Sequence, residues 1–174
     1  MTPFFPAAPQ ELLAKSQLRG LDKGEFLLQP KWDGRRAVAF PDGGLFYRSG
    51  KPINVRPWKE IDIPKTDFPL DLELFRDVPI VLDALIPGPT QARLEFLKEL
   101  GQKRGDPRLV PMFYAVDSLA QVNEHLKRCL GAQRPDGQRL CDGVVLKRAT
   151  SPYRWSPTAQ VQEKDWLKVK IPLA

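Results

Sequence analysis

Histidine is almost missing from this chain: His125 is the only one in 174 residues, and it sits in a charged stretch with helical spacing. A histidine-based triad or a zinc site built on histidine has little to work with. Cysteine is nearly as scarce. Cys129 and Cys141 show no metal-ligand spacing, and they fit a reduced, intracellular setting in which both are structural. No apolar run approaches the ~20 residues of a membrane span, and the amino terminus lacks a basic region followed by an apolar stretch and a cleavage site. The expected location is therefore the cytoplasm, with no membrane partner. Internal repeats and low-complexity linkers are also absent.

Proline, by contrast, is plentiful. Eighteen prolines are spread along the chain, which implies many turns and short elements. With 42% hydrophobic and 28% charged residues the chain fits one globular domain able to bury a core. The net charge of +6 favours a polyanionic partner.

The chain is organised around Gln29-Pro30-Lys31-Trp32-Asp33-Gly34-Arg35-Arg36. Phe26 to Leu28 reads as a strand, Asp33-Gly34 as a turn, and Ala37 to Phe40 as the next apolar run. Lys31 thus stands at a strand end, where a rigid scaffold can hold its amine while glycine allows close backbone approach. The pattern Lys31-x-Asp33-Gly34-x-Arg36 resembles the signature of nucleotidyltransferases that form a covalent lysine–nucleotide intermediate, a group including ATP-dependent DNA ligases, RNA ligases and capping enzymes.

Further runs resemble the same family in the same order. Arg48-Ser49-Gly50-Lys51-Pro52 is similar to its arginine-containing second motif, and a planar guanidinium suits bidentate phosphate contacts. Leu70-Asp71-Leu72-Glu73-Leu74 alternates as a strand, with its carboxylates on one face and its leucines on the other. It resembles the third motif, in which glutamate contacts the ribose or a metal. Leu72 replaces the usual glycine, and Val81 to Ile86 offers a competing register without glutamate. Val110 to Val116 reads as a strand resembling the run that ends in a purine-stacking residue; the position is Val116, with Tyr114 of the same parity as a substitute ring. Cys141-Asp142-Gly143-Val144-Val145-Leu146-Lys147 resembles the fourth motif, with aspartate where glutamate is usual. Ser151-Pro152-Tyr153-Arg154 and Asp165-Trp166-Leu167-Lys168-Val169-Lys170 look very like the corresponding runs of bacterial end-joining DNA ligases. In a strand Trp166, Lys168 and Lys170 share one face. Helices are expected over Pro9 to Arg19, Gln91 to Leu100 and Gln121 to Leu130.

The resemblance implies an α+β fold of the nucleotidyltransferase, ATP-grasp-like kind, with two mostly antiparallel sheets flanked by helices. It implies ATP as cofactor, AMP carried covalently on Lys31, and catalytic roles for Lys31, Lys168 and Lys170. Gln29, Arg36, Arg48, Glu73, Val116 and Lys147 are the expected nucleotide contacts, and Glu73 and Asp142 the expected ligands of Mg2+ or Mn2+. Free lysine is neutral in only roughly one molecule in two thousand at neutral pH, so Arg36, Lys168, Lys170 and the metal are expected to ease loss of the Lys31 proton. The partner is nicked or broken nucleic acid, DNA favoured, with sealing in repair and recombination as the outcome. RNA ligation by the same chemistry and a non-catalytic nucleic-acid-binding relic are the alternatives. The likeness runs from about residue 26 to residue 170 and includes no OB-type barrel, so a monomeric adenylation domain with a partner supplying that function is expected.

Overall fold

The computed structural model describes residues 5–6, 8–12, 15–54, 61–75, 78–156 and 162–173. Among these, eleven strands and two α-helices follow in order: β1 (Phe5–Pro6), β2 (Ala8–Glu11), β3 (Phe26–Trp32), β4 (Arg35–Ala39), β5 (Leu45–Tyr47), β6 (Leu70–Phe75), β7 (Val78–Ala84), α1 (Thr90–Arg104), β8 (Tyr114–Val116), α2 (Leu119–Gly131), β9 (Cys141–Arg148), β10 (Trp155–Ser156) and β11 (Gln162–Val169). Two larger sheets with helices match the α+β class expected, and β1 pairs with β10 in a third, two-stranded sheet. The chain divides into two compact units, one made of residues 1–8, 34–111 and 152–161 and the other of 9–33, 112–151 and 162–174.

The first unit is built on the antiparallel sheet β5-β4-β6-β7. The alternation in β6 works as its sequence dictates: Leu70, Leu72 and Leu74 are buried in a core with Ala37, Ala39, Val81 and Leu97. Pro41 to Gly44 forms the hairpin turn, with the Phe40 amide donating to the Gly44 carbonyl (2.8 Å) and the Gly44 amide to the Asp42 carboxylate (2.9 Å). Helix α1 buries the stripe Thr90, Arg93, Leu94, Leu97 and Gly101. It runs beyond the expected Leu100 because Gly101 packs where a Cβ would stand 2.7 Å from Val110 Cγ2, so this glycine serves contact and does not end the helix.

The polar face of β6 is not a solvated face. Asp71 lies opposite Asp83 of β7, and both carboxylates are fully buried. Each is neutralised by its own arginine. Arg93 donates from Nε (2.9 Å) and Nη2 (3.1 Å) to Asp83, and further to Thr90 Oγ1 and the Gly88 carbonyl. Arg36 donates from Nε (2.8 Å) and Nη2 (2.5 Å) to Asp71. The Tyr153 hydroxyl donates to Asp71 Oδ2 (2.8 Å), while the Arg93 guanidinium lies over the Tyr153 ring at 5.5 Å. Burial, with Asp71 beside it, pushes the Tyr153 phenol well above its ordinary pKa, so it remains a donor.

The second unit holds the sheet β2-β11-β9-β3-β8. Here α2, capped by Ser118, covers one face: its Val122 and Leu126 join Phe26, Leu28, Val116, Val144, Leu146, Leu167 and Val169 in the core. Two expectations are corrected. Pro9 to Arg19 is not an α-helix: Ala8–Glu11 is a strand, Lys15–Leu18 a 3-10 turn, and residues 13 and 14 lie outside the described residues. Pairing wins over the leucine spacing, since the Leu12 amide donates to the Lys168 carbonyl (3.2 Å). The turn expected at Asp33-Gly34 leads from β3 to β4, which belong to different sheets. The expected strand over 110–116 is ordered as a strand only from Tyr114.

Removing one member of a buried ion pair leaves an uncompensated charge, at a typical loss of about 3–5 kcal/mol. Asp83→Ala is expected to lose stability in that range, read from the shift in urea unfolding midpoint with an unchanged slope.

Candidate active site

Pairing of β3 with β9 and of β9 with β11 assigns every residue of this sheet a face. Leu28 stands opposite Leu146, Gln29 opposite Val145, and Lys31 opposite Gly143; Trp166 stands opposite Lys147, and Lys168 opposite Val145. The residues buried against α2 have one parity, so Leu27, Gln29, Lys31, Val145, Lys147, Trp166 and Lys168 share the other face. Just past Lys31 the register shifts, and Trp32 pairs with Cys141. This bulge leaves Asp142 as the extra residue and turns its carboxylate toward Lys31. Gly143 makes the bulge possible: its φ is 153°, and a Cβ there would stand 2.4 Å from the Val169 carbonyl oxygen.

Lys31 Nζ donates to Asp142 Oδ1 at 2.5 Å, and Lys170 Nζ lies 2.8 Å from Asp142 Oδ2. One carboxylate is thus held between two ammonium groups, all three part-exposed. Burial works against the Asp142 charge, but hydrogen bonds from Lys170 and Lys31 outweigh it and hold the carboxyl below its ordinary range. The hydrogen bond to Asp142 raises Lys170 above the usual lysine value. Of the cations expected near Lys31, Lys170 shares its carboxylate, while Lys168 Nζ is paired with Glu11 at 3.3 Å; the group that touches Lys31 directly is an anion. Each Asp142 oxygen is paired with one ammonium group, and a divalent ion held there would have to share that carboxylate with both lysines. Among the described residues no cluster of three His, Cys, Asp or Glu could hold a metal.

Gln29 and Lys147 are both buried on the Lys31 face, with the Lys147 ammonium over the Trp166 ring at 4.1 Å and Trp166 Nε1 donating to Ser151 Oγ at 3.0 Å. Val116 is the clear correction. It pairs with Phe26, is 2% exposed, and belongs to the core under α2, on the face opposite Lys31. Tyr114 has the same parity and stacks on His125 with ring centroids 4.3 Å apart, so it faces the same way. The residue of β8 on the Lys31 face is Ala115, opposite Leu27. Sequence reasoning missed it because alternation alone does not say which parity faces the lysine.

Arg36, Arg48 and Glu73 belong to the first unit. Arg36 is committed to Asp71; burial disfavours its charge, and the Asp71 carboxylate more than offsets this. Arg48 is exposed on the strand end, its amide donating to the Arg36 carbonyl at 3.3 Å. Glu73 accepts the Gly34 amide through Oε1 at 3.1 Å, and Gly34 packs so closely that a Cβ would lie 2.7 Å from the Leu74 carbonyl oxygen. Asp71 and Tyr153, which hold Arg36, were legible as motif residues but not as its partners.

The pH dependence of the Lys170–Asp142 pair follows from these shifts. The lowered carboxyl contributes stability in full above the ~3.9 of free aspartate and loses it as pH falls through its folded value; the raised amine contributes in full below ~10.4 and loses it as pH rises through its folded value. A double-mutant cycle of Asp142→Asn and Lys170→Met, read by urea unfolding, is expected to give a coupling constant from about pH 5 to 9 that fades toward zero beyond about pH 4 and 10.4.

The chain matches no protein-family model and no curated protein. Solved structures are similar to it. A DNA ligase of the Lig E type superposes with a TM-score of 0.67 at 17% identity, over 95% of this chain and 68% of that one. The ligase domain of M. tuberculosis LigD gives 0.64 at 20% identity, over 96% of this chain and 59% of that one. The Chlorella virus DNA ligase-adenylate gives 0.65 at 16% identity, over 96% and 68%. The chain therefore spans about two thirds or less of these proteins. At such identities the likeness is one of architecture: the chain has the fold of the nucleotidyltransferase domains of ATP-dependent DNA ligases.

Proposed function

We propose that this chain is the adenylation domain of an ATP-dependent DNA ligase, with Lys31 as the residue that carries AMP. One observation bears most of the weight: the Lys31 amine is held at a bulge of the sheet by a carboxylate that a second lysine, Lys170, also contacts. Two ammonium groups against one carboxylate leave a positive excess, which suits a phosphate chain. The fold adds support, as one similar protein was solved as its adenylate and the bacteriophage T7 ligase, with a TM-score of 0.54, in complex with ATP.

In this reading Lys31 Nζ attacks the α-phosphorus of ATP. A nitrogen–phosphorus bond forms, the bond from the α-phosphorus to the bridging oxygen breaks, and pyrophosphate leaves. Asp142 first has to release Lys31 and the ammonium has to pass a proton to solvent, which both side chains reach, because an ammonium ion has no lone pair for attack. The incoming phosphates compete with Asp142 for Lys170, loosening the cluster at the moment the triphosphate arrives. Lys170 and Lys168, on the same face, then balance the charge that builds on the α-phosphate. Gln29 and Lys147 line that face as nucleotide contacts. AMP passes from Lys31 to a 5′-phosphate of broken DNA, and attack by the neighbouring 3′-hydroxyl seals the strand and releases AMP.

Incubation with ATP is expected to add the mass of AMP to the wild-type chain, mapped to the peptide containing Lys31, and GTP is expected to leave it unmodified. Lys31→Ala should carry no adduct, and Lys170→Met should slow adduct formation by roughly 10²–10³-fold, the usual cost of one electrostatic donor. Sealing assays on nicked DNA and nicked RNA with the same protein decide the strand preference, DNA being expected. An unmodified wild-type chain in excess ATP ends this reading and leaves nucleic-acid binding as the function to test.

A further inference from the structure

Glu11 ends β2, the edge strand of the five-stranded sheet, and β2 lies against β11, the strand that carries Lys168. Two successive residues at this edge grip one lysine. The Leu12 amide donates to the Lys168 carbonyl (3.2 Å), and Glu11 Oε1 stands 3.3 Å from Lys168 Nζ. The first contact holds the backbone, while the second depends on the side chains alone. The Glu11 side chain is 62% exposed and that of Lys168 29%, so water reaches the pair and a competing anion can take either partner's place. Lys168 stands opposite Val145 on the Lys31 face, and its pairing draws the Glu11 carboxylate to that face. The face thus carries three ammonium groups and two carboxylates, with Asp142 on Lys31 and Lys170 and Glu11 on Lys168. A phosphate chain that approaches the lysines meets both carboxylates, which have its own sign. The two differ in how they are held. Asp142 comes from the bulge of β9 and serves two lysines, whereas Glu11 comes from the sheet edge and serves one.

We propose that Glu11 is a counter-ion gate on the phosphate-binding face: its carboxylate pairs with Lys168 until a phosphate chain displaces it, and this competition sets the affinity for the chain. The consequence for ATP rests on the function proposed above; the competition for Lys168 does not. Opening requires rotation about the side-chain bonds of Glu11 and no change in the sheet, because the Leu12 amide still holds the Lys168 carbonyl when the carboxylate leaves. Lys168 is then released as an ammonium ion already positioned by its strand, and its charge passes from a carboxylate to a phosphate oxygen. The exposed carboxylate returns to water, which solvates it at little cost. A residue of the sheet edge, outside the motifs that mark the Lys31 face, thereby controls how readily that face accepts a polyphosphate.

The test measures binding of inorganic tripolyphosphate to the full chain by calorimetry. Glu11→Gln keeps the length of the side chain and removes its charge, and it is expected to bind roughly twofold to fivefold more tightly than wild type, the scale of one part-exposed ion pair. Glu11→Lys is expected to bind more tightly again. Repulsion through space would change affinity in the same direction, and a double-mutant cycle separates it from a gate. In a Lys168→Met background Glu11→Gln is expected to lose its gain, whereas repulsion alone would leave the gain intact. With ATP, the KM of lysyl-AMP formation is expected to fall in Glu11→Gln by the same factor as the tripolyphosphate affinity rises. Equal or weaker binding by Glu11→Gln, a gain that survives Lys168→Met, no binding of tripolyphosphate by any of these proteins, or a KM that stays put where lysyl-AMP forms overturns the proposal. A wild-type chain that binds tripolyphosphate and forms no lysyl-AMP counts against the ligase reading alone, because the binding cycle decides the gate without it.

Discussion

A single carboxylate between two ammonium groups sets the requirements for the second unit. Asp142 reaches Lys31 and Lys170 only because the β3–β9 pairing slips by one residue just past Lys31, and the slip exists only because residue 143 has no side chain. In a regular ladder consecutive side chains alternate faces, and Asp142 would point away from Lys31. The bulge converts a strand position into a further member of the Lys31 face. Every other feature of that face, from Gln29 to the Lys147–Trp166 contact, takes its place from the same register.

The two units handle charge in opposite ways, and exposure explains the difference. In the first, Asp71 and Asp83 are fully buried with their arginines, where breaking a pair strands a charge in a medium that cannot solvate it. Such pairs do not exchange; they fix Arg36, Arg93 and Tyr153 in place. In the second, Lys31, Asp142 and Lys170 keep contact with water, where an ion pair is worth little and a competing anion can replace a partner. A binding site for a phosphate chain needs this exchangeable arrangement. The buried layer gives rigidity, the part-exposed one gives chemistry.

How much of this could be read from the residues depends on what each pattern encodes. Leu70, Leu72 and Leu74 announced β6 because a strand exposes alternate residues to different media, and the α1 and α2 stripes announced themselves by helical spacing. The Lys31 motif and the order of later motifs located the functional face. What stayed hidden was long-range pairing. The turn at Asp33-Gly34 carries hairpin chemistry, yet its strands join different sheets, since turn residues fix a local bend and not the partner beyond it. Val116 was placed with the nucleotide because parity divides a strand into two faces without naming them; only the pairing of Val116 with Phe26 puts it under α2. The partner of Asp71 stayed hidden because its arginine, 35 positions earlier, comes beside it only in three dimensions.

The aspartate at 142, where the resembling family carries glutamate, makes the cluster unusually dependent on its backbone. A glutamate has three rotatable bonds and can keep a carboxylate near an amine while the strand shifts; an aspartate has two, and its carboxylate follows the Cα closely. With Lys31 Nζ at 2.5 Å there is little slack. Movement of the first residue of β9 by about 1 Å therefore reaches Lys31 almost undiminished, since a hydrogen bond weakens steeply over that distance.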